Sequence, residues 1–288
     1  MTPPERHPGY VDSHAHFWDT SRLAYPWLAG EPRIAARHGP EDLEAEAGAD
    51  APDSIVFVQA ECDRARWLEE VEWVETLALR DPRIAAIVAH APMDAGDETV
   101  AALSVLASRP LVRGVRHLIQ GEPDPGFCLR PGFLAGVRRL AGLGLSFDIC
   151  CTSGQLPSVI ELVRRCPETS FVLDHAGKPG IGRRELDPWR GAISRIASEP
   201  NVVCKLSGLV TEAGPGAWST EDLRPFVSHL LASFGPGRLL FGSDWPVVKL
   251  AAGYALWLEG ARKLVSHLDP RAVRAIFNDN ARHAYRIP

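Results

Sequence analysis

The sequence predicts an α/β chain folded as a single (β/α)8 barrel of the TIM type. Eight short apolar runs occur along it, and amphipathic stretches lie between them. Eight strand–helix pairs are what closes such a barrel. The chain has 288 residues, against roughly 250 for a typical barrel, which leaves a surplus the size of one insertion.

The apolar runs cover residues 10–16, 54–60, 84–89, 111–117, 145–150, 170–175, 202–206 and 238–242. They are rich in Val, Ile, Leu and Phe without strict alternation, as strands buried on both faces require. Their starts lie roughly 25 to 45 residues apart, enough for a strand and a crossover helix. Residues 66–79 carry Trp67, Val71, Val74 and Leu77 at helical spacing. Pro131 opens a helix at a first-turn position, followed by Leu134, Val137 and Leu140. Residues 156–163, 189–196, 223–231 and 254–264 repeat the pattern. Ser219 reads as an N-cap, with Glu221 and Asp222 in an acidic first turn. Residues 17–53 are a loop-rich insertion, and the whole chain, 1–288, reads as one domain. The rival is an open doubly wound sheet. No G-x-G-x-x-G follows the first run, where a dinucleotide-binding sheet places it.

Composition removes several classes of function. Hydrophobic residues make up 45% and charged residues 23%, the balance of a globular chain rather than a disordered one. A formal charge of -5 gives no basic footprint, so no nucleic-acid partner is expected. No run approaches the ~18 apolar residues of a membrane span. Residues 1–8 lack the apolar core of a signal peptide, and a cytoplasmic location is expected. The six cysteines (Cys62, Cys128, Cys150, Cys151, Cys166 and Cys204) form no C-x-x-C pair and read as reduced, buried thiols.

In a barrel of this kind chemistry sits at the C-terminal ends of the strands. The first run ends in Ser13-His14-Ala15-His16. Two residues apart on a strand, both imidazoles point to one face. The sixth ends in Asp174-His175 and the eighth is followed by Ser243-Asp244-Trp245-Pro246. Taken singly, His175 could be structural, and Asp244 could cap a helix, ligate a metal or act as a base.

Together these blocks resemble the amidohydrolase superfamily, and within it the sugar-lactonase branch of the amidohydrolase-2 group. That branch includes L-fuconolactonase and L-rhamnono-lactonase, with 2-pyrone-4,6-dicarboxylate lactonase as a cousin. The resemblance is carried by Ser13–Asp19, Tyr25-Pro26-Trp27-Leu28, Gly114-Val115-Arg116-His117, residues 173–179, residues 204–209 and residues 241–246. It spans roughly residues 10–287 and implies an amidohydrolase-type barrel that opens a sugar lactone to the aldonic acid.

Such chemistry needs an attacking water, a group to take its proton, and positive charge at the developing oxyanion. Asp244 is the expected general base, with His14, His16 and His175 beside it. Arg116, His117, Lys205 and Lys178 are the expected substrate-binding cations, and Trp27 and Trp245 the expected sugar-stacking rings. On a regular strand only one of Arg116 and His117 looks inward. A single divalent metal, zinc or manganese, would draw its ligands from His14, His16, Glu61, His175 and Asp244, with Asp148 as an alternative carboxylate. The fifth run carries no histidine, so metal-free chemistry stays open. The alternatives are a metal-dependent decarboxylase or hydratase of the same superfamily, and a non-catalytic barrel that senses a sugar acid. The expected partner is a small-molecule sugar lactone. The oligomeric state, a homodimer included, is left open.

Overall fold

In a computed structural model describing residues 9–214 and 218–288, eight parallel strands follow one another in chain order around a barrel. The expectation about residues 1–8 lies outside the described residues. The strands are β1 Val11–Ala15, β2 Ser54–Val58, β3 Ile84–Ala89, β4 Val112–Arg116, β5 Ser146–Ile149, β6 Phe171–Leu173, β7 Val202–Leu206 and β8 Leu239–Phe241. A helix follows each: Pro40–Ala47, Trp67–Ala78, Asp97–Ala107, Pro131–Leu143, Leu156–Arg165, Trp189–Ala197, Thr220–Phe234 and Tyr254–Val265. The expected eightfold alternation is therefore present.

Closure between β8 and β1 is made by backbone just past β8. Asp244 N donates to His14 O at 2.8 Å and His16 N donates to Trp245 O at 2.7 Å. Asp12, buried in β1, reinforces the seam by accepting from Ser243 N at 2.8 Å. Phe17, Phe57, Phe147, Phe171 and Phe241 are fully buried beneath the surrounding helices. The sequence signals for helix starts hold. Pro131 occupies the first turn of its helix, and the Ser219 side chain accepts from Asp222 N. All six cysteines are free and buried.

The strands are shorter than the apolar runs at the end that matters. The run 170–175 is extended only to Leu173, because His175 and Ala176 turn into the left-handed region at φ 51° and 52°. No apolar periodicity reports a turn of this kind.

Between β1 and β2, residues 17–53 fold into short helical turns and the helix Pro40–Ala47. They carry their own apolar cluster, built on Trp18, Leu23, Tyr25, Leu28 and Ile34. This cluster packs against Ala60 and Cys62 past β2, and so stands beside the C-terminal ends of the strands.

Candidate active site

Strand ends deliver three imidazoles to one carboxylate oxygen. The Nε2 atoms of His14, His16 and His175 lie 3.7, 3.3 and 3.8 Å from Asp244 Oδ1. The first two are 3.2 Å from each other. His14 and His16 project from β1 and its end, whereas His175 and Asp244 stand on left-handed backbone. Asp244, His175 and Glu61 hold φ of 61°, 51° and 55°, a conformation that costs an L residue on the order of 1–3 kcal/mol and clusters at functional sites. Gly208 leaves room for the His175 ring, since a Cβ there would stand 2.6 Å from its Nδ1. Gly242 does the same for His14, whose Cβ would be 2.8 Å away.

Hydrogen bonds and burial set the charge states. His16 Nδ1 lies 2.7 Å from Val58 O, so Nδ1 carries a proton and the ring is oriented with Nε2 toward Asp244. His175 Nδ1 lies 2.9 Å from Ser207 Oγ. Burial, reinforced by Lys205, pulls His14 well below the usual imidazole range. Burial pulls His175 down to about 4. Burial alone would raise Asp244, but His175, His16 and His14 reverse that and hold its carboxyl well below the usual range. The centre is therefore an ionised carboxylate beside imidazoles of which His14 and His175 are neutral at neutral pH.

Beneath it lies a buried charge cluster. Lys205 Nζ donates to Asp148 Oδ2 at 2.7 Å and sits 2.9 Å from Asp174 Oδ1. It also lies 3.1 Å from His14 Nδ1. Arg116 Nη1 reaches Asp174 Oδ2 at 3.3 Å and His14 Nε2 at 3.4 Å. Its Nη2 donates to Gln59 O at 2.5 Å. Two cations and two carboxylates thus balance in a space almost closed to water.

A cavity of about 250 Å³ opens over Asp244. His16, His175, Arg116, Lys178 and Gln120 give it polar lining, and Trp27, Leu118 and Val247 apolar lining. Burial works against the Lys178 ammonium, but Cys150, Glu212 and Asp244 around it favour the charged form. Trp27 is fixed by its Nε1, which donates to Ala60 O at 2.8 Å.

Several expected residues stand elsewhere. His117 does not line the cavity: Arg116 takes the inward position and His117 stacks on Phe127, with Nε2 on Glu122. Lys205 is fully buried under His14, because its partners Asp148 and Asp174 are inside the barrel, and it holds the site from below. Trp245 is fully buried between Phe17 and His38, its Nε1 donating to Glu46 Oε2. Glu61 lines the cavity but belongs to neither ligand group and is held by Gln59 at 2.9 Å. Asp148 faces Lys205 and Tyr285 rather than the metal ligands. Asp174, the residue before His175, was not singled out by sequence, although it braces His14, Arg116 and Lys205 together. Its only signal was adjacency to His175. Gln120 and Val247 had no signal, being placed by loops.

The donor set fits a divalent metal. Among the described residues, His14, His16 and Asp244 form one group of converging ligand atoms and His14, Asp174 and His175 another. The Nε2 and Oδ1 separations match the roughly 3.3 Å expected between ligands of tetrahedral zinc bonded at about 2.0–2.1 Å. The His16 Nδ1 contact with Val58 O orients Nε2 as a ligand requires.

The amidohydrolase family profile matches residues 11–287. The chain belongs to the amidohydrolase family. It is 34% identical over 282 residues to an L-fucono-1,5-lactonase of Burkholderia ambifaria, covering 96% of this chain and 95% of that one. It is 35% identical over 292 residues to an L-fucono-1,5-lactonase of Burkholderia multivorans, covering 96% of each. A crystal structure of an amidohydrolase from Burkholderia multivorans with bound zinc superimposes with a TM-score of 0.86 at 34% identity, covering 98% of this chain and all of that one.

One buried group near the site has a measurable consequence for stability. Glu70, under the loop that follows β2, accepts from Ala60 N at 3.1 Å. Burial raises its carboxyl to about 8, so the folded protein holds a proton that the unfolded chain loses. Stability therefore declines as pH rises from the ordinary carboxylate range toward 8. Glu70→Gln keeps the acceptor and removes that penalty. Urea unfolding is expected to show the variant no more stable at pH 4.5 and more stable by roughly 4 kcal/mol at pH 8.

Proposed function

We infer that the chain hydrolyses the ester of a sugar lactone, giving the open aldonic acid. The observation that carries this is an ionised Asp244 ringed by imidazoles at the floor of a cavity whose polar lining includes Arg116 and Lys178. The family and the two L-fucono-1,5-lactonases support the substrate class. The cavity is of a size for a single sugar ring, with Trp27 offering an aromatic face.

A water on the Asp244 side gives a proton to Oδ1 as its oxygen attacks the ester carbonyl. Asp244 is a weak base at its depressed pKa, so its strength lies in always being ionised and aimed. The three Nε2 atoms around Oδ1 stand ready to share the proton. Arg116 and Lys178 face the cavity as the fixed positive charge for the oxyanion, at no cost in reorganisation. Collapse of the tetrahedral intermediate breaks the ring C–O bond, and the leaving alkoxide takes the proton held on Asp244 to become a hydroxyl, which returns the carboxylate. A divalent metal held by His14, His16 and Asp244 would supply Lewis acidity to the same carbonyl or water.

We also read residues 17–53 as part of the same domain and as the wall that shapes the cavity through Trp27. The expected substrate is a 1,4- or 1,5-lactone of L-fuconate, L-rhamnonate or galactonate. Proton release in weak buffer across that panel tests the reading, with bound metal counted and chelator added in parallel. Saturable acid release supports it. Carbon dioxide release from an aromatic or enol acid, abolished by chelator, with no lactone opening, would replace it with a decarboxylase.

A further inference from the structure

The cavity over Asp244 does not end at its own rim. A second hollow of about 580 Å³ opens beside it, and Gln120 and Lys178 line both. The loops that follow β4, β5, β6 and β7 wall it, through Gly121, Ser153, Arg183 and Glu212. It therefore lies on the face of the barrel that carries the chemistry. The inner cavity, at about 250 Å³, takes one sugar ring under the proposed function. The outer hollow has more than twice that room for whatever the ring carries.

Its wall is polar and balanced in charge. Lys178 Nζ lies 3.8 Å from Glu212 Oε1, and Arg183 Nε donates to Glu185 Oε2 at 2.7 Å. Each cation already faces a carboxylate, so an anionic group meets no unpaired positive charge there. Neutral hydrogen-bonding groups remain free. Gln120 accepts through Oε1 from Cys150 Sγ, and among the described residues its NH2 has no protein acceptor. The half-buried Ser153 hydroxyl, among the same residues, has no protein partner either. A Cβ built on Gly121 meets no atom within 4 Å, so the wall stays open at that point. Free donors and acceptors in a charge-balanced hollow suit hydroxyls, each of which donates and accepts.

We propose that the hollow is an outer subsite for an uncharged glycosyl group carried by the lactone ring, so that the protein takes glycosylated lactones in preference to bare ones. The inner cavity holds the ester, the outer one holds the second sugar, and Gln120 and Lys178 stand at the junction. What occupies the inner cavity rests on the lactonase reading; the outer site is read by binding alone.

The test compares L-fucono-1,5-lactone with its O-glycosylated forms, one for each free ring hydroxyl. Calorimetric titration of Asp244→Asn reads Kd without enzymic opening. At least one glycosylated form is expected to bind about 10-fold more tightly than the bare lactone, as two or three added hydrogen bonds give. Gly121→Trp in the same chain puts an indole into the hollow. It is expected to remove that advantage and to leave Kd for the bare lactone unchanged. Ser153→Ala removes one hydroxyl and adds no bulk, and is expected to weaken the glycosylated form alone by about 3-fold. No glycosylated form binding better than the bare lactone, or an advantage that survives Gly121→Trp, overturns the proposal. Should Gly121→Trp fail to fold, Ser153→Ala decides, and an unchanged Kd for the glycosylated form overturns it. If the preference is found but the wild-type protein opens neither lactone, the subsite stands and the lactonase reading falls.

Discussion

Asp244→Asn is expected to lower kcat on a sugar lactone by about a thousandfold while leaving the fold intact. The substitution keeps size and shape, and asparagine tolerates the left-handed backbone that position 244 requires, at φ 61°. It removes the single negative charge on which His14, His16 and His175 converge. The amide offers no proton acceptor of comparable strength, so the attacking water keeps its proton. KM is expected to change little, because the proposed carbonyl donors Arg116 and Lys178 are untouched. Steady-state kinetics with circular dichroism checks this; a variant with more than a tenth of the wild-type kcat would remove Asp244 from the role of base.

The second large effect is on stability. Lys205→Met is expected to destabilise the protein by roughly 3–5 kcal/mol, because it strips the shared cation from two buried carboxylates. Asp148 and Asp174 are both fully buried, and Lys205 lies 2.7 and 2.9 Å from them. Burial already drives Asp148 upward, with Lys205 opposing that rise, so loss of the ammonium favours its neutral form. Asp174 keeps Arg116 at 3.3 Å. The double variant Asp148→Asn, Lys205→Met removes one orphaned charge together with its partner. It is expected to recover more than half of the lost stability, measured by urea unfolding at pH 7. If the two substitutions were simply additive, the paired burial would not be the cause.

These two effects differ in how far the sequence foretold them. Asp244 was legible because it follows an apolar run and sits in line with His14, His16 and His175, and a strand end is where a barrel keeps its chemistry. The eight strands and most helices were legible for a related reason: burial on both faces leaves unbroken apolar runs, and helix starts carry Pro131 and Ser219. Lys205 was seen but misplaced. A lysine in an apolar run looks like a strand-end cation reaching for substrate. Only the positions of Asp148 and Asp174, 57 and 31 residues earlier in the chain, show that it is a buried counter-ion. His117 and Trp245 were misplaced because strand direction decides which neighbour looks inward, and the left-handed turns after the strands reset that direction. Tyr285 carried no signal at all, since nothing local says that a C-terminal tyrosine meets the fifth strand through the barrel floor.

The most direct test is a crystal structure of Asp244→Asn soaked with L-fucono-1,5-lactone. The variant is expected to hold the intact ring in the cavity over position 244. The carbonyl carbon should face the substituted side chain, and its oxygen should lie within hydrogen-bond distance of Arg116 or Lys178. A lactone bound with its carbonyl turned away from position 244, or bound outside the cavity lined by Trp27 and His175, would contradict the assignment of Asp244 as the base.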